Sequence, residues 1–317
     1  MDKSYVIGMD IGGTNTVFGV VDARGNVLSK SAVKTSTHQD INLYIDDIHK
    51  ELGLLIDKVG GISKIKGIGI GAPNGNHYTG NIEYAPNLRW KGVIPLSELM
   101  SDKFGIPVVI TNDANAAAIG EMTYGAARGM KNFIMITLGT GVGSGIVING
   151  KLVYGHDGFA GELGHTCSVR NGRQCACGKI GCLETYASAN GVARTAREIL
   201  ETQEVDSSLR NIPIESITSK DVHDAALEGD KIALDIFEYT GKILGEALAD
   251  FVAFSAPEAI VLFGGLTKAG DYIMNPIVQH MEKNLLKIWQ GKIKVLFSNL
   301  NEADAAILGA SALAWEI

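Results

Sequence analysis

The feature that most constrains the fold is a strand and turn layout that occurs twice. Residues 9–27 read "MDIGGTNTVFGVVDARGNV", and residues 136–153 read "ITLGTGVGSGIVINGKLV". Aligning Gly139 on Gly12 superposes a strand, a Gly/Thr turn, a second strand, a second turn and a third strand. The repeat predicts two related units that descend from a duplication.

Alternating strands and helices follow the two hairpin segments. "IKGIGIGAP", "IPVVITND", "AIVLFGGL" and "IKVLFSNL" are apolar runs typical of buried strands, and "DINLYIDDIHKELGLLIDKVG" has helical periodicity with Asp40 as its N-cap. We also predict a long helix from about Lys231 to Ser255 and an Ala-rich final helix, "EADAAILGASALAW". The fold class is therefore α/β, and the early hairpins make its sheets mixed rather than wholly parallel.

Length and composition predict an ordinary water-soluble protein of roughly two domains, with a cleft between them as the natural place for chemistry. The chain has 317 residues, 46% hydrophobic and 20% charged. No apolar stretch is long enough to cross a bilayer, and the start lacks the pattern of a signal peptide, so we expect a cytoplasmic protein without a membrane partner. The net charge of −7 argues against nucleic acid as a partner.

The glycine-rich turns "DIGGTNT" and "LGTGVGSG" suit the close approach of a phosphate, because a Cβ would hold the backbone N–H groups away from its oxygens. Thr14, Asn15 and Thr140 add side-chain donors. An acid in an apolar strand is costly unless it is paired or near a metal, and a nucleotide phosphate carrying Mg²⁺ would explain Asp10. The alternative is that both turns are only tight hairpins.

In "VVITNDANAAAIGE" a buried strand runs into Asn112 and Asp113, and a helix begins there. Asp113 has two interpretations. It is an N-cap, which is a common use of Asp, or it is a carboxylate that accepts a proton from a substrate hydroxyl while Asn112 positions that substrate.

Three of the four cysteines lie close together, at Cys175, Cys177 and Cys182, and His165 lies ten residues before Cys175. Three thiolates and one imidazole are a usual tetrahedral ligand set for structural zinc, and a cytoplasmic location disfavours a disulfide framework. Cys167 competes for the fourth position, since a four-cysteine site is equally acceptable. A filled site of either kind would be closed, with no open position for a catalytic water.

Five segments, "DIGGTN", "NDANAAAIGE", "TLGTGVGSG", "GELGH" and "CACGKIGCLE", together resemble the ROK family of repressors and sugar kinases, specifically its bacterial glucokinases. The resemblance extends from Asp10 to the last helix. It implies an actin-like (ribonuclease H-like) ATPase fold with two α/β domains and an inter-domain cleft. The small domain would comprise residues 1–112 and 303–317, and the large domain, with the zinc-binding loop, residues 113–302.

The same resemblance implies that ATP lies in the cleft, with its phosphates against residues 10–16 and 137–145 and its nucleoside near Gly264 and Gly265. The residues expected to bind ATP and Mg²⁺ are Asp10, Gly12, Gly13, Thr14, Asn15, Thr137, Gly139, Thr140, Gly141, Gly264 and Gly265. Structural Zn²⁺ would be held by His165, Cys175, Cys177 and Cys182. We also expect a homodimer or a homotetramer.

The implied reaction is phosphorylation of the 6-hydroxyl of a hexose, glucose first, with Asp113 as general base. The residues expected to bind the sugar are Asn87, Asn112, Asp113, Glu162, His165 and Glu184, and His165 would hold zinc through its other ring nitrogen. Alternatives within the family are an N-acetylmannosamine or N-acetylglucosamine kinase and a fructokinase. A sugar-sensing repressor is disfavoured, because only nine residues precede Asp10 and they lack a helix-turn-helix.

Two segments depart from the family pattern. Family members often read PNLPGW where this chain has "APNLRWKG", which leaves the placement of Arg89 and Trp90 open, and the turn "PNGNHYTGN" is longer than in many relatives. Both border the expected sugar pocket.

Overall fold

The computed structural model describes residues 3–317, except for the side chains of residues 302 and 303. The strands of this part of the chain are β1 (Tyr5–Ile11), β2 (Thr16–Asp22), β3 (Val27–Val33), β4 (Ile65–Gly71), β5 (Ile82–Glu83), β6 (Val93–Ile94), β7 (Val108–Thr111), β8 (Phe133–Leu138), β9 (Val142–Ile148), β10 (Lys151–Leu152), β11 (Ala259–Phe263) and β12 (Lys294–Phe297). Its α-helices are α1 (Ile41–Asp57), α2 (Leu96–Phe104), α3 (Asp113–Tyr124), α4 (Glu184–Ala187), α5 (Ala189–Thr202), α6 (Ser219–Leu227), α7 (Lys231–Ser255), α8 (Asp271–Asn284) and α9 (Glu302–Trp315).

Two five-stranded sheets repeat one strand order. The first runs β3-β2-β1-β4-β7 and the second β10-β9-β8-β11-β12, so the n-th strand of one corresponds to the n-th strand of the other. In the first sheet β1, β2 and β3 are antiparallel, while β4 and β7 run parallel to β1. In the second, β11 runs parallel to β8 and β12 parallel to β11. The predicted repeat and the predicted mixed α/β class are both confirmed.

Helix α1 covers one face of the first sheet because its apolar residues recur every three or four positions. Tyr44, Ile48 and Leu52 are fully buried in a cluster with strand residues such as Ile7 and Ile68. The predicted N-cap is confirmed, since the Asp40 side chain accepts a hydrogen bond from Asn42 N. Burial of each large side chain contributes about 1.5–3 kcal/mol, so this face rather than local propensity holds the helix.

Helix α9 packs on β1 and β4, where small residues let it approach the strands closely. A Cβ at Gly8 would lie 1.9 Å from Ile307 O, and a Cβ at Gly69 would lie 1.9 Å from Ala310 O. The C-terminal helix thus depends on glycines that lie far away in the sequence. In the second sheet's core, α7 and α8 are also closely packed, since a Cβ at Gly241 would lie 2.6 Å from Pro276 Cβ.

The chain divides into two compact units. The first comprises the described residues up to Lys131, Gly145–Gly161 and Ser298–Ile317, and the second comprises Asn132–Ser144 and Glu162–Phe297. Residues 113–131 and 145–161 therefore group with the first unit, whereas the sequence assigned them to the large domain. The physical reason is that α3 packs on α9, where a Cβ at Gly120 would lie 2.7 Å from Gly309 Cα. The predicted domain bounds themselves stay a prediction.

Among the described residues, no helix combines the length and the apolar character needed to cross a membrane.

Candidate active site and metal centre

Two carboxylates lie at the carboxyl ends of β1 and β7, the parallel strands on either side of β4 in the first sheet. Asp10 of β1 is paired with Gly71 of β4, and Gly71 is paired with Thr111, the last residue of β7. Asp113 follows two residues later as the first residue of α3. A Cβ at Gly71 would lie 3.4 Å from Asp10 Oδ1 and 3.6 Å from Asp113 Cα. The strand ends thus bring together acids from two separate motifs, at the edge where open α/β sheets bind ligands.

Both carboxyl groups have a raised pKa. Burial, and then the negative charge of Asp113, raise the pKa of Asp10 from 3.8 to about 7. Desolvation raises the pKa of Asp113 as well, although a hydrogen bond from Ala114 N–H opposes the shift. As a residue Asp113 is exposed, so protein atoms crowd its carboxyl group while solvent still reaches it. A raised pKa makes a carboxylate a stronger base, and two adjacent acids attract a proton or a cation.

The N-cap of α3 is Asn112, and the interpretation of Asp113 as the cap is wrong. The Asn112 side chain accepts a hydrogen bond from Ala114 N at 2.8 Å, and its backbone has the extended conformation of a cap. Asp113 Oδ1 accepts from the same N–H at 2.8 Å. The capping role therefore belongs to Asn112, and the shared N–H orients the Asp113 carboxylate at the helix start.

The first glycine turn lies against the segment that contains Asn87. Gly12 N donates to Asn15 O at 3.0 Å and closes the turn, while the side chains of Thr14 and Asn15 are exposed. A Cβ at Gly13 would lie 2.8 Å from Asn87 O. The turn predicted to bind phosphate and the predicted sugar ligand Asn87 are therefore neighbours, which no spacing in the sequence indicates.

The segment after Asn87 alternates between exposed and buried side chains. Trp90 is 5% exposed and packs on Tyr44, with ring centroids 4.5 Å apart, whereas Arg89 and Lys91 are exposed on the same side as Asn87. An open cavity of about 500 Å³ adjoins this exposed side. Trp90, whose placement the sequence left open, is therefore a core residue, and Arg89 faces solvent.

The long turn after Ala72 is anchored by Asn76. This side chain is 2% exposed, donates to Asp157 O at 2.8 Å and accepts from Tyr78 N at 3.0 Å. His77 stacks on Tyr154, with ring centroids 4.1 Å apart and an interplanar angle of 4°. The extra length of this turn is thus used in packing.

The second glycine turn is closed by its own backbone and by one threonine. Gly139 N donates to Gly141 O at 3.1 Å, and Thr137 Oγ1 accepts from Gly143 N at 3.0 Å. Thr140 is exposed at the tip. The Thr137 hydroxyl therefore shapes the turn, while Thr140 is the side-chain donor that a phosphate could reach.

The turn predicted to meet the nucleoside packs on the end of β8. Gly264 has φ of 109°, and a Cβ there would lie 2.7 Å from Leu138 O, so both the conformation and the contact require glycine. Beside it is a cavity of about 400 Å³ that is lined by residues including Ser219, His223 and Gly265. No local motif in the sequence marks Ser219 or His223.

The predicted metal ligands converge. The ligand atoms of His165, Cys175, Cys177 and Cys182 all lie within 4.8 Å of one another. Cys177 Sγ is 3.6 Å from Cys182 Sγ, and Cys175 Sγ is 3.8 Å from His165 Nδ1. Tetrahedral zinc with Zn–S bonds of about 2.3 Å separates its ligands by roughly 3.6–3.8 Å. The donor set and its spacing therefore fit zinc, with Nδ1 as the metal-facing nitrogen of His165.

Cys167 lies outside this group of described residues. It is exposed, and its backbone forms an isolated bridge with Cys182. His165 rather than Cys167 thus completes the four-ligand cluster.

The thiols of the cluster differ in acidity. Burial raises the pKa of Cys175 to about 12, and burial also raises the pKa of Cys182. Although burial opposes it, a hydrogen bond from Lys179 N–H, followed by those of the neighbouring thiols, lowers the pKa of Cys177. A divalent metal ion would favour the thiolate form of all three.

Glu184 connects the metal cluster with the second glycine turn. Its Oε2 accepts from Val142 N at 3.2 Å, and its Oε1 lies 3.9 Å from His165 Nδ1 and 3.5 Å from Cys175 Sγ. A Cβ at Gly141 would lie 2.3 Å from Oε2. Glycine is therefore needed at position 141 to make room for the Glu184 carboxylate, apart from any role in phosphate binding.

Glu162 stands at the start of the short turn that carries His165. Its side chain is exposed, and its carbonyl accepts from His165 N at 3.1 Å. The predicted sugar ligands thus form two groups, one in each unit: Asn87, Asn112 and Asp113 in the first, and Glu162, His165 and Glu184 in the second.

The fold and these two groups of residues indicate the class of protein to which the chain belongs. Paired mixed sheets of one strand order, with glycine turns after their first strands and carboxylates at the strand ends, characterise the actin-like ATPase fold. The model of the ROK family matches residues 6–317, and the chain belongs to this family.

Three known proteins show the range of its relatives. A glucokinase of Halalkalibacterium halodurans is 38% identical over 98% of this chain and 94% of its own length. A ROK family glucokinase of Streptomyces griseus, solved in complex with glucose and AMPPNP, is 34% identical, covers 99% of this chain and 100% of its own, and superposes with a TM-score of 0.81. A xylose repressor of Caldicellulosiruptor bescii is 30% identical over 98% of this chain and 78% of its own length.

Proposed function

We propose that this protein is an ATP-dependent hexose kinase that transfers the γ-phosphoryl group of ATP to the 6-hydroxyl of glucose. The observation that carries the proposal is the pair Asp10 and Asp113 beside a glycine turn, in a family member that is 38% identical to a glucokinase. Phosphoryl transfer needs positioning and charge compensation more than covalent chemistry, and this edge of the sheet supplies both.

Asp113 is the proposed general base. Its raised pKa strengthens it as a base, and the Ala114 N–H holds one carboxylate oxygen in place. In the reaction the other oxygen accepts the proton of the 6-hydroxyl while the sugar oxygen attacks phosphorus and the bond to ADP breaks. Asn112 keeps the helix start, and with it Asp113, in register.

Asp10 is the residue that would hold Mg²⁺ together with the phosphates. The fit rests on the donor chemistry, since a partly buried carboxylate whose pKa is raised to about 7 by its surroundings gains from a nearby cation. Bound Mg²⁺ would neutralise charge on the phosphate oxygens. The N–H groups of both glycine turns and the hydroxyls of Thr14 and Thr140 would orient these oxygens.

The cavity of about 400 Å³ beside Gly265 is the proposed place of the nucleoside, since His223 and Ser219 offer an aromatic face and a polar edge. Zinc would be held by His165 Nδ1 and the three thiols of the cluster. Its proposed role is to fold the loop so that Glu184, Glu162 and His165 Nε2 face the sugar hydroxyls.

A coupled ATPase assay tests this function across glucose, N-acetylmannosamine, N-acetylglucosamine, mannose and fructose. We expect glucose to give the highest kcat/KM. A site built to hydrogen-bond each sugar hydroxyl rejects a sugar that leaves one buried partner unpaired by up to roughly 10⁴-fold. The kcat/KM values should therefore differ sharply across the five sugars. A higher kcat/KM for an N-acetylated sugar or for fructose would overturn the glucose assignment. If none of the sugars is phosphorylated, the proposed kinase activity is wrong.

The repressor relative supports a second candidate, a sugar-responsive DNA-binding protein. Sugar-dependent binding to DNA by a protein without kinase activity would favour it. The cytoplasmic location and the dimeric or tetrameric state stay predictions, and size-exclusion chromatography with light scattering tests the latter.

A further inference from the structure

A buried arginine, Arg173, lies in the loop between His165 and Cys175 and has no place in the proposed chemistry. It is 8% exposed, and all five of its guanidinium N–H groups have an acceptor. These hydrogen bonds run from Nε to Glu198 Oε2 (3.1 Å), from Nη2 to Glu198 Oε2 (2.6 Å) and Thr195 Oγ1 (2.8 Å), and from Nη1 to Thr185 O (2.6 Å) and Gly191 O (3.3 Å). A guanidinium whose N–H groups all have protein acceptors is part of the packed structure rather than a solvated surface charge.

The backbone of Arg173 is held as firmly as its side chain. Its N–H donates to Tyr186 Oη at 2.8 Å, its carbonyl accepts from Gly181 N at 2.8 Å, and the guanidinium lies 4.5 Å from the centre of the Tyr186 ring. The bond to Gly181 closes the hairpin that contains Cys175 and Cys177. Arg173 therefore joins the metal-binding hairpin to helices α4 and α5.

The contact with Thr185 is the one that bears on the sugar site. Thr185 follows Glu184 in α4, which has only four residues and is too short to be stable without tertiary contacts. Glu184 itself makes only one hydrogen bond to the glycine turn at 3.2 Å, through Val142 N. The hydrogen bond from Arg173 to Thr185 O therefore holds the backbone next to Glu184.

The charge of Arg173 is balanced by Glu198. Although burial opposes the shift, hydrogen bonds from Arg173 and then from Arg194 lower the pKa of Glu198, so the pair is ionic. Lysine could keep this ion pair but could not reach Thr185 O and Gly191 O at the same time, because it lacks the planar fork.

We propose that Arg173 is a positioning residue that sets Glu184, and through it the sugar site, independently of the zinc ion. The proposal rests on the proposed function of the Glu184 site. Arg173 is not among the residues proposed to bind sugar or nucleotide, and its proposed action is through the Thr185 carbonyl and the hairpin backbone.

The test compares Arg173→Lys with Arg170→Lys, an exposed arginine of the same loop as matched control. In zinc-loaded full-length protein, Arg173→Lys should raise the KM for glucose about tenfold, the usual effect of losing a charge-assisted hydrogen bond, with the KM for ATP and the zinc content unchanged. Glu198→Gln should have a smaller effect, because the contact with Thr185 remains. Arg170→Lys should match the wild type.

A purely structural role would give another pattern, with less folded protein and less zinc but an unchanged KM for glucose in the active fraction. That pattern, or an unchanged KM in folded Arg173→Lys, would overturn the proposal. If Arg173→Lys does not fold, Thr195→Val takes its place, and it should raise the KM for glucose several-fold.

Amide hydrogen exchange separates this proposal from the proposed function. Exchange at residues 183–187 should be at least about tenfold faster in Arg173→Lys than in Arg170→Lys, whether or not the protein phosphorylates a sugar. Wild-type protein without kinase activity but with this exchange difference would overturn the function and keep the role of Arg173 in holding α4. Equal exchange in the two variants would overturn the role of Arg173.

Discussion

The two groups of predicted site residues are built by different means. Regular structure places Asp10 and Asp113, since Asp10 lies near the end of β1 and Asp113 follows β7. Ladder hydrogen bonds set the register of these strands. His165 and Glu184 are placed by a loop with little regular structure, which contains four potential metal ligands and one buried arginine. The proposed base lies at the end of a sheet, whereas the proposed sugar-binding groups lie on a loop held by hydrogen bonds and by its candidate metal ligands. The first group should therefore tolerate changes around it, and the second should not.

Asp113→Asn should have the largest effect, and it tests whether the sheet edge performs the chemistry. The amide keeps the shape and the hydrogen bond from Ala114 N–H but cannot accept the proton, so kcat should fall by about 10²–10⁴ with glucose binding largely kept. Steady-state kinetics and calorimetric glucose titration measure the two quantities. Asp57→Asn, at an exposed carboxylate of the same unit, is the control. Near-normal turnover in Asp113→Asn would remove the proposed base.

Cys177→Ser should come second, and it tests whether the loop depends on metal. Elemental analysis should find about one zinc per wild-type chain and much less in the variant, whose KM for glucose should rise roughly 10- to 100-fold. Cys167→Ser is the matched control, because this exposed thiol lies outside the cluster. Equal loss of zinc in both variants would contradict the ligand set of His165 and three cysteines.

Gly141→Ala should have an intermediate effect that separates the two uses of the second glycine turn. The added Cβ would lie 2.3 Å from Glu184 Oε2 and would push the carboxylate away from Val142 N. Strain of this kind costs about 1–3 kcal/mol, so the KM for glucose should rise by about tenfold. A rise in the KM for ATP alone would mean that Gly141 serves the phosphates and that Glu184 adapts without loss.

Asp10→Asn should give the smallest of these effects. We expect it to raise stability although it lowers activity. Because the folded pKa of Asp10 is about 7 and the unfolded value is 3.8, the folded state binds more protons than the unfolded state between these values. The carboxylate therefore lowers wild-type stability as pH rises from 4 to 7. Asp10→Asn should turn over more slowly than the wild type but less slowly than Asp113→Asn, and it should be more stable at pH 8 by about 1–2 kcal/mol, with no gain at pH 4. Denaturant unfolding at both pH values measures this difference, and an equal gain at both would rule out titration of Asp10 as its cause.

Much of the fold could be predicted because its signals are local. Helices α1, α3 and α7 begin where the sequence predicts them, and α1 has the predicted cap, Asp40. The repeat of strands and turns predicted two sheets of one order, and the ligand spacing in one short segment predicted the zinc-type cluster.

The rest depended on contacts between residues far apart in the chain. Trp90 could not be placed, because its burial on Tyr44 joins segments that no periodicity connects. The cavity beside Gly265 could not be predicted for the same reason, since Ser219 and His223 belong to α6 and line it from there. Arg173 was not predicted either, although its position among the candidate metal ligands is visible in the sequence.

The sequence by itself determined the family, the order of strands and helices, the candidate metal ligands and the acids at the strand ends. These follow from residue types at fixed spacing, which act through local backbone chemistry. Only the tertiary structure decided that Asp10 and Asp113 share one edge, and that Gly141 makes room for the Glu184 carboxylate. Each of these depends on through-space packing and desolvation, which set both the pKa of an acid and the room available to a side chain.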